Sequence, residues 1–168
     1  CASVLASEAG YTVYATGRTT ADLEKLAAEC AAAGKGKIIP CSLDQKDDDA
    51  VQAFVSKVKA EAGKVDLLVN SAYQGLEAQK PYFAKRFYER PIAEFDAHMN
   101  VGVRSSYVMA SLVAPIMVEA KQGLIVQISS TGGAQYLFNT PYGVAHAAMD
   151  RLTADMAAEL TELGVQCV

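Results

Sequence analysis

Segments of two periodicities alternate along this chain, and that alternation restricts the fold more than any single motif does. Tyr11 to Ala15 reads as a short apolar strand, Thr20 to Ala33 as a helix opened by threonine and closed by Gly34, and Lys37 to Cys41 as a second strand. Gln45 to Ala62 sets Val51, Phe54, Val55 and Val58 at helical spacing, Gly63 stops it, and Val65 to Val69 is an almost wholly apolar strand of the kind buried on both faces. A loop from Ser71 to Pro91, with Gly75 and Pro81, leads into a long helix over Ile92 to Ala120. Leu124 to Ser129 follows as another buried strand, and Pro141 stands in the first turn of a helix that runs to Leu163 and ends at Gly164. Strands alternating with helices predict an α/β fold, a doubly wound parallel sheet covered by helices on both faces.

Both ends of the sequence fall inside elements. Cys1 to Ala9 reads as the end of a helix closed by Gly10, and Val165 to Val168 as a strand that stops before any turn residue. The expectation is a fragment: one domain over residues 1–168 belonging to a longer protein. With 168 residues, 51% of them hydrophobic, and a net charge of −4, the chain can bury a core and offers no basic cluster for nucleic acid. The acidic run Asp47-Asp48-Asp49 is read as a helix start, where the macrodipole favours carboxylates, rather than as a metal site. Cys1, Cys30, Cys41 and Cys167 lack paired spacing, so the expectation is reduced thiols without zinc or disulfides, in a protein facing the cytosol. No uninterrupted apolar stretch reaches the ~18 residues of a membrane span, and no signal peptide is visible.

The chemistry-bearing residues gather where such a sheet binds ligands, just beyond the carboxyl ends of its strands. Those positions are Gly17-Arg18-Thr19, Cys41-Ser42-Leu43, Asn70-Ser71-Ala72-Tyr73 and Ser129-Ser130. Tyr142 and His146 stand four residues apart on the last helix, so they share a face about one turn apart. A phenol beside a second ionisable ring, with a hydroxyl delivered from a neighbouring strand, can donate a proton to a carbonyl.

Taken together, Gly17-Arg18, Val69-Asn70-Ser71-Ala72, Met99-Asn100-Val101-Gly102, Ile128-Ser129-Ser130 and Tyr142 resemble the short-chain dehydrogenase/reductase family over essentially the whole chain. Longer stretches mark one subgroup within it: Phe87 to Pro91, Gln122 to Val126, and Gln135 to Asn139 leading into Pro141-Tyr142-Gly143-Val144. The resemblance implies a Rossmann-type sheet that here lacks its first strand, its glycine-rich turn and its C-terminal region. In strand order 3-2-1-4-5-6 that first strand lies between the second and fourth members, so without it the sheet divides into two pieces. These 168 residues alone are then expected neither to fold cooperatively nor to bind dinucleotide.

The family likeness implies NAD(P)-dependent interconversion of a carbonyl and an alcohol. Tyr142 would be the general acid or base, a serine would polarise the carbonyl, and Asn100 would hold a water that relays protons. Motif register points to Ser130, because Gly133 keeps the family's glycine three places on; distance to Tyr142 points instead to Ser129. Ser130 is preferred and both remain candidates. Gly17, Arg18, Ser42, Leu43, Asn70, Ser71, Ala72 and His146 fall at cofactor positions. Thr16 and Arg18 supply no carboxylate for the ribose 2′-hydroxyl of NAD, and Arg18 can pair with a 2′-phosphate, so NADP(H) is expected over NAD(H). Ser42 and Ser71 replace the family's aspartate and second asparagine.

His146 stands where the family has lysine. A phenol has a reference pKa near 10, and using its anion near neutrality takes roughly 4 kcal/mol of stabilisation, which a fixed cation helps to supply. Histidine is shorter and less charged at pH 7 than lysine. Lowered activity with a displaced pH profile is therefore the expectation, and a catalytically impaired nucleotide- or partner-binding relative is the alternative. The aromatics Tyr73, Tyr82, Phe83, Phe87, Tyr88, Tyr136 and Phe138 either line a pocket for a small hydrophobic ketone or alcohol or serve as core or dimer contacts. The resemblance further implies a homodimer or higher homo-oligomer through the two long helices. The expected location is the cytoplasm or the cytosolic face of an organelle membrane. His98 reads as an ordinary helix residue.

Overall fold

The computed structural model describes residues 2–33 and 35–168, so the expected helix stop at Gly34 and the features placed on Cys1 lie outside the described residues. The chain forms two compact units, Cys1–Phe54 and Val55–Val168.

In the first unit, α1 (Ala2–Ser7) is followed by β1 (Thr12–Gly17), α2 (Thr20–Ala33) and β2 (Lys37–Ser42). Gly10, at φ 78°, takes the left-handed conformation that turns the chain out of α1 and into β1. The two strands run parallel with Thr12 opposite Lys37 and Gly17 opposite Ser42, which requires α2 as the crossover between them. Ala6 of α1 and Leu23 and Cys30 of α2 close over Ala15 and Ile38 of the strands to make the small core of this unit. Asp47 accepts a bond from the Ala50 amide at 3.0 Å ahead of α3 (Asp48–Ala62), with Asp48 and Asp49 in its first turn. The acidic run is thus a helix start, with Asp47 capping the first turn through a hydrogen bond.

The second unit is built on a parallel sheet of β3 (Leu67–Asn70), β4 (Gly123–Gln127) and β5 (Val165–Cys167) in the order β3-β4-β5. The strands therefore fall into two sheets, of two and three members. Ile125 on the middle strand is fully buried, whereas Leu67, Leu68 and Val69 are half-buried because β3 is an edge strand of its sheet. The expectation of a strand buried on both faces fails there, and Ile128 and Ser129, expected to end a buried strand, are exposed.

Two helical segments depart from the sequence reading. The expected loop after Asn70 contains α4 (Gly75–Gln79) and two short 3₁₀ turns over Lys80–Tyr82 and Phe87–Glu89. Gly75 and Pro81 read as breakers, yet both sit at helix starts, where neither interrupts a ladder. The expected helix over 92–120 is divided into α5 (Ile92–His98), a widened turn (Met99–Arg104) and α6 (Ser105–Ala120). Val101 and Gly102 leave helical geometry where other partners take their backbone groups: the Gln74 amide, from another element, donates to the Val101 carbonyl at 3.0 Å, and the Gly102 amide donates to the nearby Ser105 Oγ at 3.1 Å. By length and mean hydropathy of 1.5 the span Ile92–Ala120 could cross a bilayer, but Met109, Ala110, Val113, Ile116 and Met117 are buried within the protein, as in a core helix. The last helix, α7 (Thr140–Leu160), runs into a 3₁₀ turn, and Gly164 at φ 87° delivers the chain to β5. Both α6 and α7 pack on the three-stranded sheet.

Candidate active site

Tyr142 is set by the way α7 begins. Asn139 caps the helix, its side-chain oxygen accepting the Tyr142 amide at 2.8 Å, while its own amide donates to Gln79 Oε1 at 2.5 Å. Both Asn139 and Gln79 are buried, so the cap is also a tie between α4 and α7. Pro141 fits the first turn, where its missing N–H would have had no helical partner. One turn further on, His146 Nδ1 lies 2.8 Å from the Tyr142 carbonyl. A carbonyl can only accept, so Nδ1 carries a hydrogen and Nε2 is left for other contacts. The two buried rings stack with centroids 4.0 Å apart and planes at 30°.

Past the end of β4, the Gly132 amide donates to Ser130 Oγ at 3.2 Å and opens a 3₁₀ turn over Thr131–Gly133. That turn packs on α7 so closely that a Cβ at Gly132 would lie 2.5 Å from Tyr142 Cε1. Ser130 therefore belongs to a turn resting against the phenol ring, and its hydroxyl hydrogen remains available to donate. Ser129 is exposed. Asn100 is also exposed, in the widened turn that packs against α7, and its carbonyl accepts the Ser105 amide.

The expected cofactor residues divide between the units. Asn70 is buried, and its amide donates to the Ser106 carbonyl at 3.4 Å, bracing β3 against α6; Ser71 and Ala72 beyond it are exposed. Gly17, Arg18, Ser42 and Leu43 stand at the strand ends of the first unit. There the Leu43 amide donates to the Gly17 carbonyl at 2.9 Å, Arg18 and Ser42 are exposed, and the Leu43 side chain is buried.

The residue that sequence reasoning missed is His98. It is fully buried, with Nδ1 2.5 Å from the Tyr73 hydroxyl, and Tyr73 in turn stands edge-on to Tyr142 at 6.1 Å and to His146 at 5.0 Å. Behind it, Glu94 Oε1 lies 3.9 Å from His98 Nε2 and takes a 2.5 Å ion pair from Arg90. The Arg90 guanidinium also donates to the carbonyls of Lys85 at 3.0 Å and Phe83 at 3.2 Å. Burial pushes the His98 imidazole down to about 4, with His146 and Arg90 adding repulsion, so it is neutral at pH 7. Burial, then the neighbouring Tyr142, raises the Tyr73 phenol. The signal in the sequence is the i,i+4 spacing of Glu94 and His98 on one face of α5, with Arg90 a further four residues back, ahead of the helix. On the other side, Phe138 stands edge-on to Tyr142 at 5.0 Å and 5.9 Å from Phe83, and it adopts φ 61°, an unusual conformation for so bulky a residue.

Known proteins share this fold. The profile of the short chain dehydrogenase family matches residues 1–168. The chain is 43% identical over 162 residues to human dehydrogenase/reductase SDR family member 1, covering 96% of this chain and 51% of that protein. It thus spans about half the length of the curated relatives it matches. Among solved structures, a metagenomic short-chain oxidoreductase in complex with NADP is 29% identical with a TM-score of 0.85, covering 97% of this chain and 72% of that one. A 7α-hydroxysteroid dehydrogenase complexed with NADH and 7-oxo glycochenodeoxycholic acid is 26% identical with a TM-score of 0.78, covering 92% and 56%.

Proposed function

This chain belongs to the short-chain dehydrogenase family, and from that premise we propose that it carries the proton-transfer centre of an NADP(H)-dependent enzyme interconverting a hydrophobic carbonyl and its alcohol. The observation that supports this most directly is the contact of the Ser130–Gly133 turn with the ring of Tyr142, itself stacked on His146. In reduction the Tyr142 hydroxyl gives its proton to the substrate oxygen, and in oxidation it recovers that proton. Ser130, whose oxygen already accepts the Gly132 amide, donates its hydroxyl hydrogen to the same substrate oxygen. A bound nicotinamide supplies or accepts the hydride.

The residues at the strand ends fit such a group. Arg18 is exposed beyond β1 with no carboxylate at Thr16 or Gly17, which suits a 2′-phosphate, and the structural neighbours divide between NADP and NADH. The aromatic run from Tyr142 through Phe138 to the exposed Phe83 favours an apolar substrate. Exposed Tyr107 on α6 and Val144 on α7 are consistent with self-association through these helices. His146 holds the Tyr142 carbonyl with one nitrogen and offers only the other to ribose or to the phenol, which favours slower turnover than a lysine would give.

The test is reduction of hydrophobic ketones by the full-length protein with NADPH against NADH. Tyr142→Phe should lower kcat by about 10²- to 10⁴-fold, the range of general acid catalysis, while leaving NADPH binding intact. Equal turnover by the two proteins would remove the assignment. NADPH binding with no turnover by either would favour a nucleotide-binding relative.

A further inference from the structure

We propose that Tyr73 and His98, braced by Glu94 and Arg90, are positioning residues that hold the ring of Tyr142 in register with His146 and the Ser130 turn. This rests on the functional reading given above for Tyr142. Among the described residues, four rings surround that of Tyr142: His146 stacked on it, and Phe138, Tyr73 and His98 edge-on at 5.0, 6.1 and 6.3 Å. Two of the four, Tyr73 and His98, are bonded to each other. The carboxylate of Glu94 faces His98 Nε2 and favours the imidazole hydrogen there, so Nδ1 accepts from the Tyr73 hydroxyl. Glu94 is fixed by Arg90, and Arg90 is fixed by two backbone carbonyls, so the series ends on main chain rather than on a mobile side chain.

The backbone around the pair is shaped to admit it. A Cβ at Gly75 would collide with the His98 ring, and one at Gly102, within the widened turn, would stand 2.8 Å from Tyr73 Cδ2. The departure from helix geometry at Val101–Gly102 thus has a use at the site: it opens the place that the Tyr73 ring fills. Buried polar groups cost stability unless bonded, and His98 Nε2 and Glu94 Oε2 lack hydrogen-bond partners among the described residues. An apolar residue at 98 would remove the unpartnered Nε2 but would leave the Tyr73 hydroxyl without its acceptor; a histidine there supplies the acceptor that orients Tyr73.

The experiment uses the full-length protein and two readouts, carbonyl reduction and the ring-flip rate of Tyr142 by NMR. Tyr73→Phe and His98→Leu should each lower kcat about tenfold with KM within about twofold, because misplacement of the acid acts on the chemical step. Both should speed the Tyr142 ring flip. His98→Asn, which puts an amide oxygen near the place of Nδ1, should restore most of both properties. Unchanged kcat and flip rate in His98→Leu and Tyr73→Phe, with only the melting temperature lowered, would overturn the proposal. If the wild-type protein reduces no carbonyl, the functional reading falls, and the flip rates alone then decide whether the pair fixes the ring.

Discussion

At the residue scale, two glycines separate backbone strain from steric collision. Gly63 ends α3 at φ 72° with nothing within 4 Å of the place a Cβ would occupy, so Gly63→Ala should cost only the left-handed backbone term, ~1–2 kcal/mol. Gly102, at φ 162°, lies outside the left-handed region, and a methyl group there would instead drive into the Tyr73 ring. Gly102→Ala should therefore cost about 1–3 kcal/mol, typical of overpacking, and should also disturb the Tyr142 contacts. Chemical denaturation of both variants, with carbonyl reduction as a second measure, checks the contrast: only Gly102→Ala should lose activity out of proportion to stability. Tyr142 and His146 were legible in the sequence because helical periodicity alone puts them on one face. His98 was not, because a lone histidine on a helix looks the same whether it meets solvent or core, and its partner Tyr73 is 25 residues away.

At the element scale, the start of α7 is where stability and site geometry are coupled. Asn139→Ala would remove a cap, worth ~0.5–2 kcal/mol, and would leave buried Gln79 Oε1 without its donor. Because the lost bond is to the Tyr142 amide itself, kcat should fall along with the melting temperature, whereas Asn139→Asp should keep the cap and forfeit only the tie to α4. Helix α5 gives a pH dependence with a definite sign. Folded His98 titrates at about 4 and an unfolded histidine near 6.5, so the unfolded chain binds the proton first. Stability is complete above about pH 6.5 and declines as pH falls toward 4, by up to roughly 3 kcal/mol. The groups facing the imidazole are Arg90 and Glu94 from its own side, Tyr73 after β3, and Tyr142 and His146 from α7. Urea titrations at pH 7 and pH 5 should show a smaller decline for His98→Leu than for the wild type; equal declines would assign the acid sensitivity elsewhere. The bend between α5 and α6 was hidden in the sequence for a related reason. Apolar spacing continues through Val101, and the bonds that break the helix come from Gln74, in a different element.

At the scale of the whole molecule, alternation of strand and helix foretold parallel pairing, and family motif order foretold that the strands would fall into two sheets. The two sheets differ in what holds them. The three-stranded sheet has a central strand with fully buried Ile125 and long helices α6 and α7 packed on it, whereas β1 and β2 form a two-stranded ribbon covered by α1 and α2. A parallel pair is slightly less stable per residue than an antiparallel one, and two strands are marginal without further support. The buried cluster between the helices and strands of the first unit is also small: Ala6, Ala15, Leu23, Cys30 and Ile38, with Val13 and Leu26 packed against it and only half-buried. Hydrogen exchange on the 168-residue chain should therefore rank the units. Amides of β1 and β2 should exchange at least about tenfold faster than those of β4, a difference in opening free energy of ~1.4 kcal/mol. Cys30, buried in that same small core, gives an independent reading, because its thiol should react with a maleimide at the rate at which the ribbon opens. Protection of β1 and β2 equal to that of β4, with Cys30 unreactive, would mean that the first unit is held by more than its own core.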